Sequence, residues 1–292
     1  MGCCAEKDLH LPPPALVLPT RIVVVTGANT GLGFELVKQL VRNENNVIAI
    51  LTARNPKRGE EALHKLDPYH VYSDRLHFKQ LDVASKDSIQ RFAGDIQSQF
   101  SHIDVLVNNA GINPEGWDFG RKKRFPVDVA EEVLGTNFFG AVDVTTALLP
   151  MIREGGHVVN VGSKLGKFRE IPGERLRAEL SSNTQSSQAV VEIGKRYLES
   201  VRAGTYQQDG WPQHNYITSK CLLHVYSRAL AREQTGRIRV NALCSGWTRT
   251  NLGGFLAPKS VETGVRTHLM LVKSKDNSTG QFYEDEAVSS FN

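Results

Sequence analysis

Short apolar runs alternate with stretches of helical period along almost the whole chain. "RIVVVT", "VIAILT", "LHFKQL", "DVLVNN", "HVVNV" and "RIRVNAL", starting at residues 21, 47, 76, 104, 157 and 237, read as β-strands. Several are apolar at successive positions rather than at every second one, as strands covered on both faces should be. Between them, "GLGFELVKQLVRN", "KRGEEALHKL", "SKDSIQRFAGDIQSQF" and "VDVAEEVLGTNFFGAVDVTTALLPMI" repeat their apolar residues at three and four, the period of amphipathic helices. Parallel strands need crossovers of that kind. The alternation predicts an α/β fold: a doubly wound parallel sheet of Rossmann type, helices on both faces, and a ligand cleft at the carboxyl ends of the strands.

No internal repeat or clean linker divides the chain, so residues 21–292 are expected to form one domain. Residues 1–20, with Pro12, Pro13 and Pro14 in a row, read as an extended tail. One connection departs from the rhythm: more than fifty residues lie between "VVNVGS" and "NYITSK". Val190, Ile193, Tyr197 and Val201 keep helical spacing there, so the insertion, residues 164–212, is expected to carry at least one amphipathic helix. Because it leaves a strand's carboxyl end, it is expected to roof the cleft.

Of the 292 residues, 40% are hydrophobic and 23% charged, enough to bury a sizeable core. The net charge of +4 is mild and the basic residues mostly interleave with acidic ones, which disfavours a nucleic-acid partner. Cys3, Cys4, Cys221 and Cys244 make no paired framework, and the nine histidines fall in no ligand spacing. A reducing, cytoplasmic setting and no bound metal are therefore expected. No apolar run reaches the length of a membrane span, and the first residues lack the basic start and apolar core of a signal sequence. "MGCCAE" opens like an acylated terminus, but Glu6 stands where that pattern wants Ser or Thr, so lipidation is not expected. "RKKR", residues 121–124, reads as a solvated loop, although it also suits attraction of anionic substrates or a targeting signal.

The first strand runs into "TGANTGLG", Thr26 to Gly33, at the first strand-to-helix junction. Gly27 permits a sharp turn, Gly31 lets backbone approach a pyrophosphate, and Gly33 lets helix and sheet pack closely; Asn29, Thr30 and Leu32 complete the turn. Three residues separate the first two glycines, a departure from the G-x-G-x-x-G fingerprint. An NAD-binding fold places Asp or Glu at the end of its second strand to hold the ribose 2′-hydroxyl. Here the chain reads "LTARNPKRG": Thr52 and Ala53 stand there instead, followed by Arg54 and Arg58. Two guanidiniums grip a 2′-phosphate that a carboxylate would repel, so the expected cofactor is NADP(H). Further strand ends, "LDVAS" with Asp82 and Val83, and "NNAGI" with Asn109, Ala110 and Gly111, are placed to line the same cleft. Asp82 either accepts from an adenine amine or caps the next helix.

Tyr216 and Lys220 lie four apart in "NYITSK", hence on one face of the predicted helix. The order "TGANTGLG", "NNAG", a Ser ending the fifth strand, then "YITSK" resembles the short-chain dehydrogenase/reductase family over nearly everything from Arg21 onward. "LTARNPKRG", "TNFFGA", "VVNVGS", the long insertion and "CSGWTRTNLGG" are similar to its monomeric NADPH-dependent carbonyl reductases, including the menthone and salutaridine reductase types. That resemblance implies a catalytic set of Asn137, Ser163, Tyr216 and Lys220. Tyr216 is the implied proton donor, with its pKa lowered by the neighbouring ammonium. Ser163 is implied to hold the substrate oxygen, Lys220 the nicotinamide ribose as well, and Asn137 a water relaying protons to Lys220. Gly246, Thr248 and Thr250 are implied near the nicotinamide.

Two departures stand out. Gly162-Ser163 replaces the usual Ser-Ser, and Ser245-Gly246 the usual Pro-Gly, loosening the backbone there. Cys244 reads as a small hydrophobe, with a redox-active thiol as the alternative. The expected activity is reduction of an aldehyde, ketone or quinone by a monomer. Oxidation of a secondary alcohol by the same site, or NADPH sensing without turnover that signals through the insertion or the acidic "FYEDE" tail, are the alternatives.

Overall fold

The computed structural model describes residues 20–116 and 127–292. The expected tail with Cys3, Cys4 and the proline run, and the "RKKR" loop, lie outside the described residues. Eight strands form one sheet: β1 (Arg21–Val25), β2 (Val47–Ala53), β3 (Leu76–Gln80), β4 (Ile103–Asn108), β5 (Ile152–Val161), β6 (Arg239–Cys244), β7 (Phe282–Glu284) and β8 (Ala287–Ser289). Their order is β3-β2-β1-β4-β5-β6-β7-β8, parallel throughout except the β7–β8 pair. The chain winds outward from β1 to β3, then returns to place β4 on the other side of β1. That reversal opens a crevice above β1 and β4, the usual ligand position in such sheets.

The strands are apolar at successive positions because each face meets its own core. Ile22, Val24, Ile50, Leu106, Val158 and Val240 belong to one layer, while Val23, Val25, Leu51, Val107, Val159 and Leu243 belong to the other. Helices α1 (Gly31–Asn43), α2 (Pro56–Leu66) and α3 (Lys86–Gln99) follow the first three strands. Asn55 caps α2 by accepting from Arg58 N–H at 3.0 Å with Pro56 in the first turn, and Ser85 caps α3 through Ser88 N–H at 3.3 Å.

The long helix expected at 127–152 is interrupted. It comprises α4 (Val127–Leu134), a π-helical turn at Gly135–Phe139 and α5 (Gly140–Leu148), ending at a 3-10 turn that contains Pro150. Gly140 makes the close passage possible, since a Cβ there would stand 2.7 Å from the Val83 carbonyl oxygen. This stretch, Val127–Met151, has the length and a mean hydropathy of 1.2 that would suit a membrane span. Its Ala130, Val133, Leu134, Phe138, Val144 and Leu148 are instead buried in the protein, as in a core helix.

The insertion carries α6 (Glu174–Ser181) and α7 (Ser187–Ala203), the latter capped by Ser186 and closed by Gly204 at φ 74°. α7 packs on α4 and on α8 (Asn215–Glu233), the helix bearing Tyr216 and Lys220. After β6 come α9 (Val261–Gly264) and α10 (Arg266–Lys273). The "FYEDE" segment, read from sequence as an acidic tail, belongs to a hairpin: β7 and β8 pair antiparallel around Asp285 and Glu286, at φ 47° and 64°.

Candidate active site

The junction of β1 and α1 is shaped by missing side chains. Gly27 and Gly31 take φ 61° and 59°, and a Cβ on Gly27 would lie 2.9 Å from Ala110 Cα. A Cβ on Gly33 would lie 2.5 Å from Asn109 Nδ2, so helix and strand ends meet as the glycine spacing predicts. Thr26, which the sequence reading did not single out, binds the two strand ends across the crevice. Its Oγ1 accepts from Asn109 N–H at 2.9 Å and Ala110 N–H at 3.0 Å, while Asn109 Nδ2 donates to the Thr26 carbonyl at 2.8 Å. Thr30 is the N-cap of α1, but its hydroxyl makes no capping bond and the first turn holds no acidic residue. The α1 amino terminus thus retains donors for an anion, and this glycine cradle fits a dinucleotide pyrophosphate. Asn29 and Leu32 sit in the same turn, Leu32 lining a cavity described below.

At the end of β2, Thr52 and Ala53 are buried, and Thr52 Oγ1 donates to the Val25 carbonyl. Arg54 and Arg58 follow at the exposed start of α2, with no carboxylate partner among the described residues. Nothing acidic ends β2, so the position suits a phosphate. Asp82, half-buried after β3, uses Oδ1 for the Ala84 N–H, and the helix-capping role open to it goes to Ser85. Val83 is buried beside it, under Gly140.

Tyr216, Lys220, Ser163 and Asn137 converge, all of them 9% exposed or less. Tyr216 and Ser163 line one cavity, and Ser163 Oγ accepts from Leu165 N–H at 3.2 Å. Lys220 Nζ donates to the Val161 carbonyl at 2.7 Å and lies 5.6 Å from the Tyr216 ring centroid. Asn137 sits in the π-helical turn, a place where functional residues recur. Its Oδ1 accepts from Ile112 N–H at 2.8 Å, and its Nδ2 donates to the Ile112 carbonyl at 2.9 Å and to Ser219 Oγ at 3.1 Å. The amide therefore clamps the segment after Gly111 to α8. A Cβ on Gly111 would stand in ordinary contact, 3.5 Å from both Asn137 Oδ1 and Lys220 Nζ, so residue 111 lies directly beside these two groups.

The electrostatics differ from the sequence expectation. Burial pushes the Tyr216 phenol above its ordinary value, Cys244 adding to the rise and the Ser163 hydrogen bond opposing it. Lys220 Nζ is held by the Val161 carbonyl and lies over the ring face. Burial also pulls Lys220 down to about 8. The resting pair is a neutral phenol beside a readily titrated ammonium.

A cavity of about 410 Å³ opens over these groups, lined by Ser163 and Tyr216, by Lys164 and Leu165 at the start of the insertion, and by the segment from Cys244 to Gly253. α6 and α7 lie on α8 rather than on this cavity. Gly246 takes φ 73°, and the Ser245-Gly246 departure is braced: Ser245 Oγ donates to the Gly246 carbonyl and Gly246 N–H to Cys244 Sγ. Thr248 is buried, donating to the Gly246 carbonyl at 3.1 Å, and Thr250 packs against the glycine turn at Gly31. Cys244 Sγ also accepts from Lys164 N–H, and burial raises its thiol, as for a protonated packing group.

Glu115 is a second residue missed from sequence. His214, the N-cap of α8, makes no capping bond through its side chain. Glu115 takes over from the loop after β4: it accepts from Tyr216 N–H at 3.4 Å and Asn215 Nδ2 at 3.1 Å and pairs with His214 Nδ1 at 3.3 Å. Tyr197 of α7 donates to Asn215 Oδ1 at 2.6 Å, tying the insertion to the same end. No local signal marks these partners.

The short chain dehydrogenase family model matches residues 21–174. The chain is 35% identical to carbonyl reductase (NADPH) 1 of Sus scrofa over 279 residues, covering 92% of this chain and 93% of that protein. Among solved structures it is similar to salutaridine reductase from Papaver somniferum, with a TM-score of 0.79, 28% identity and coverage of 90% and 99%. Menthone neomenthol reductase from Mentha piperita is also similar, with a TM-score of 0.76, 28% identity and coverage of 91% and 99%.

Proposed function

The chain belongs to the short chain dehydrogenase family, and from that premise we propose that it reduces an aldehyde, ketone or quinone to the alcohol, with Tyr216 as proton donor. NADP(H) is the cofactor: the paired Arg54 and Arg58 suit it, as does the NADPH in the name of the Sus scrofa relative. Gly27 to Gly33 would hold the pyrophosphate, Asp82 and Val83 the adenine side, Asn109 to Gly111 a ribose, and Gly246, Thr248 and Thr250 the nicotinamide end. When bound, NADPH supplies the hydride that attacks the carbonyl carbon.

The chain's own residues manage the proton. The observation that carries this reading is that Ser163 and Tyr216 line one cavity, with Lys220 Nζ over the Tyr216 ring. Ser163 donates to the carbonyl oxygen and orients it, and Tyr216, kept neutral by burial, passes its phenolic proton to that oxygen as charge develops. A buried phenolate would be costly alone, and the Lys220 ammonium offsets that charge. Asn137, fixed to Ile112 and Ser219, keeps the floor of the site in place and contacts any water reaching Lys220.

Steady-state NADPH consumption against a carbonyl panel tests the reading. Tyr216→Phe is expected to lower turnover on the order of 10²–10⁴-fold while NADPH still binds. Binding without turnover by the unaltered protein across the panel would favour a sensor, and turnover only with secondary alcohols and NADP would favour the oxidative direction.

We also infer a monomer, because α7 occupies the faces of α4 and α8 that would otherwise be open to another copy. Light scattering is expected to give the 32.3 kDa of one chain, and twice that mass would overturn it. A cytoplasmic setting is supported by the free, buried Cys221 and Cys244, and finding the tagged chain in an oxidising compartment would overturn that placement.

A further inference from the structure

We propose that His224, one turn beyond Lys220 on α8, is the positioning residue for Ser163, and that Gly162 is the vacancy that admits its ring. The proposal rests on the reading above, in which Ser163 orients the carbonyl oxygen. His224 is fully buried, and its Nε2 accepts from the Ser163 backbone N–H at 3.3 Å. A Cβ at residue 162 would stand 2.2 Å from that Nε2 and 2.7 Å from Cδ2, so a side chain at 162 and this imidazole exclude one another. The serine usual at that position is therefore absent for a physical reason: its space is taken by a hydrogen-bond acceptor from the catalytic helix.

The ring is held firmly. Its centroid lies 4.6 Å from that of Phe282 and 5.4 Å from that of Phe291. Burial pulls its pKa down to about 3, with Lys220 and Lys167 acting in the same direction, so it is neutral. With Nε2 accepting, the proton belongs on Nδ1, which is buried and has no hydrogen-bond partner among the described residues. The next glycine repeats the arrangement, since a Cβ on Gly166 would lie 2.6 Å from the Lys220 carbonyl carbon. The turn carrying Ser163 is thus seated on α8 at two bare positions, with one side-chain acceptor fixing its amide. Because Ser163 and Tyr216 line the same cavity, a tilt of this turn changes the angle between hydroxyl and phenol without touching the cofactor cradle.

Three variants and one spectrum test this. His224→Phe keeps a ring but removes the acceptor; it is expected to lower kcat roughly 10-fold, the scale of one lost buried hydrogen bond, with the NADPH Kd unchanged. Gly162→Ser is expected to lower both kcat and Tm, and adding His224→Ala to it should restore part of each, because the clash is gone. Losses that simply add in the double variant, or a His224→Phe protein with unaltered kcat, would overturn the proposal. In the unaltered protein, the ¹⁵N shifts of the imidazole should report protonated Nδ1 and bare Nε2 from pH 5 to 9. An Nε2–H tautomer, unable to accept from Ser163, would overturn it independently of activity. Failure of the carbonyl-reductase reading shows up differently, as no turnover in the unaltered protein while tautomer and Tm coupling remain as expected.

Discussion

Two exposed arginines at the start of α2 are the residues we propose to select the nucleotide. Arg54 and Arg58 have no carboxylate partner among the described residues and stand beside a strand end that carries Thr52 and Ala53 where a carboxylate would select NADH. Replacing both by alanine is expected to weaken NADPH roughly 10–100-fold, the size of one or two charge-assisted hydrogen bonds, and to leave NADH unaffected. Fluorescence titration with both nucleotides measures it, and an equal loss for each would show that the arginines serve the fold instead. At this scale the glycine turn was readable because Gly27, Gly31 and Gly33 sit in one contiguous motif, while the roles of Ser163, Tyr216 and Lys220 stand as proposals. The sequence was silent on Glu115 and His224, whose partners lie 101 and 61 positions away. Spacing puts Lys220 on the face of Tyr216 but does not reveal that the Val161 carbonyl accepts from its ammonium.

Among the elements, α8 depends most on its surroundings. It is buried along nearly all of its 19 residues, and its amino terminus is closed by a carboxylate from another loop rather than by its own N-cap. Glu115→Ala removes acceptors from Tyr216 N–H and Asn215 and the partner of His214. A missing cap costs about 1 kcal/mol, which in a chain of this size corresponds to a fall in Tm of roughly 2–4 °C. Turnover should fall with it, because the first turn carries Tyr216, and an unchanged melting curve would remove Glu115 from that role. Strands β1, β2, β4 and β6 were legible because both faces are covered and the apolar runs are uninterrupted. β7 and β8 were not, being three residues each, with Glu284, Asp285 and Glu286 masking the hairpin as an acidic stretch. The break at Gly135–Phe139 was hidden too, since a π turn shifts register without disturbing hydrophobic content.

For the whole molecule, acid should be the sensitive direction. His157, His224 and His268 are buried and neutral, their pKa values pulled by burial from 6.5 to about 3, 3 and 4. In each case the unfolded chain binds the proton more readily. Their contribution to stability is therefore complete above pH 6.5 and declines as pH falls from there toward 4 and below, by on the order of 1.4 kcal/mol per pH unit for each ring. Melting curves between pH 7 and 4.5 should shift steadily downward, with proton uptake on unfolding approaching three from this source. A Tm that stays flat over that range would show that these rings find compensating partners. The walls around His224 carry one more implication. Phe282 and Phe291 come from the final stretch of the chain, and the Phe291 carbonyl also accepts from Phe168 N–H at 2.8 Å. The glycine turn and the strands β1 to β6 can pair while the turn of Ser163 still lacks its backing. The edge that carries Phe282 and Phe291 is therefore expected to fix His224 and the turn of Ser163 later than the bulk of the fold.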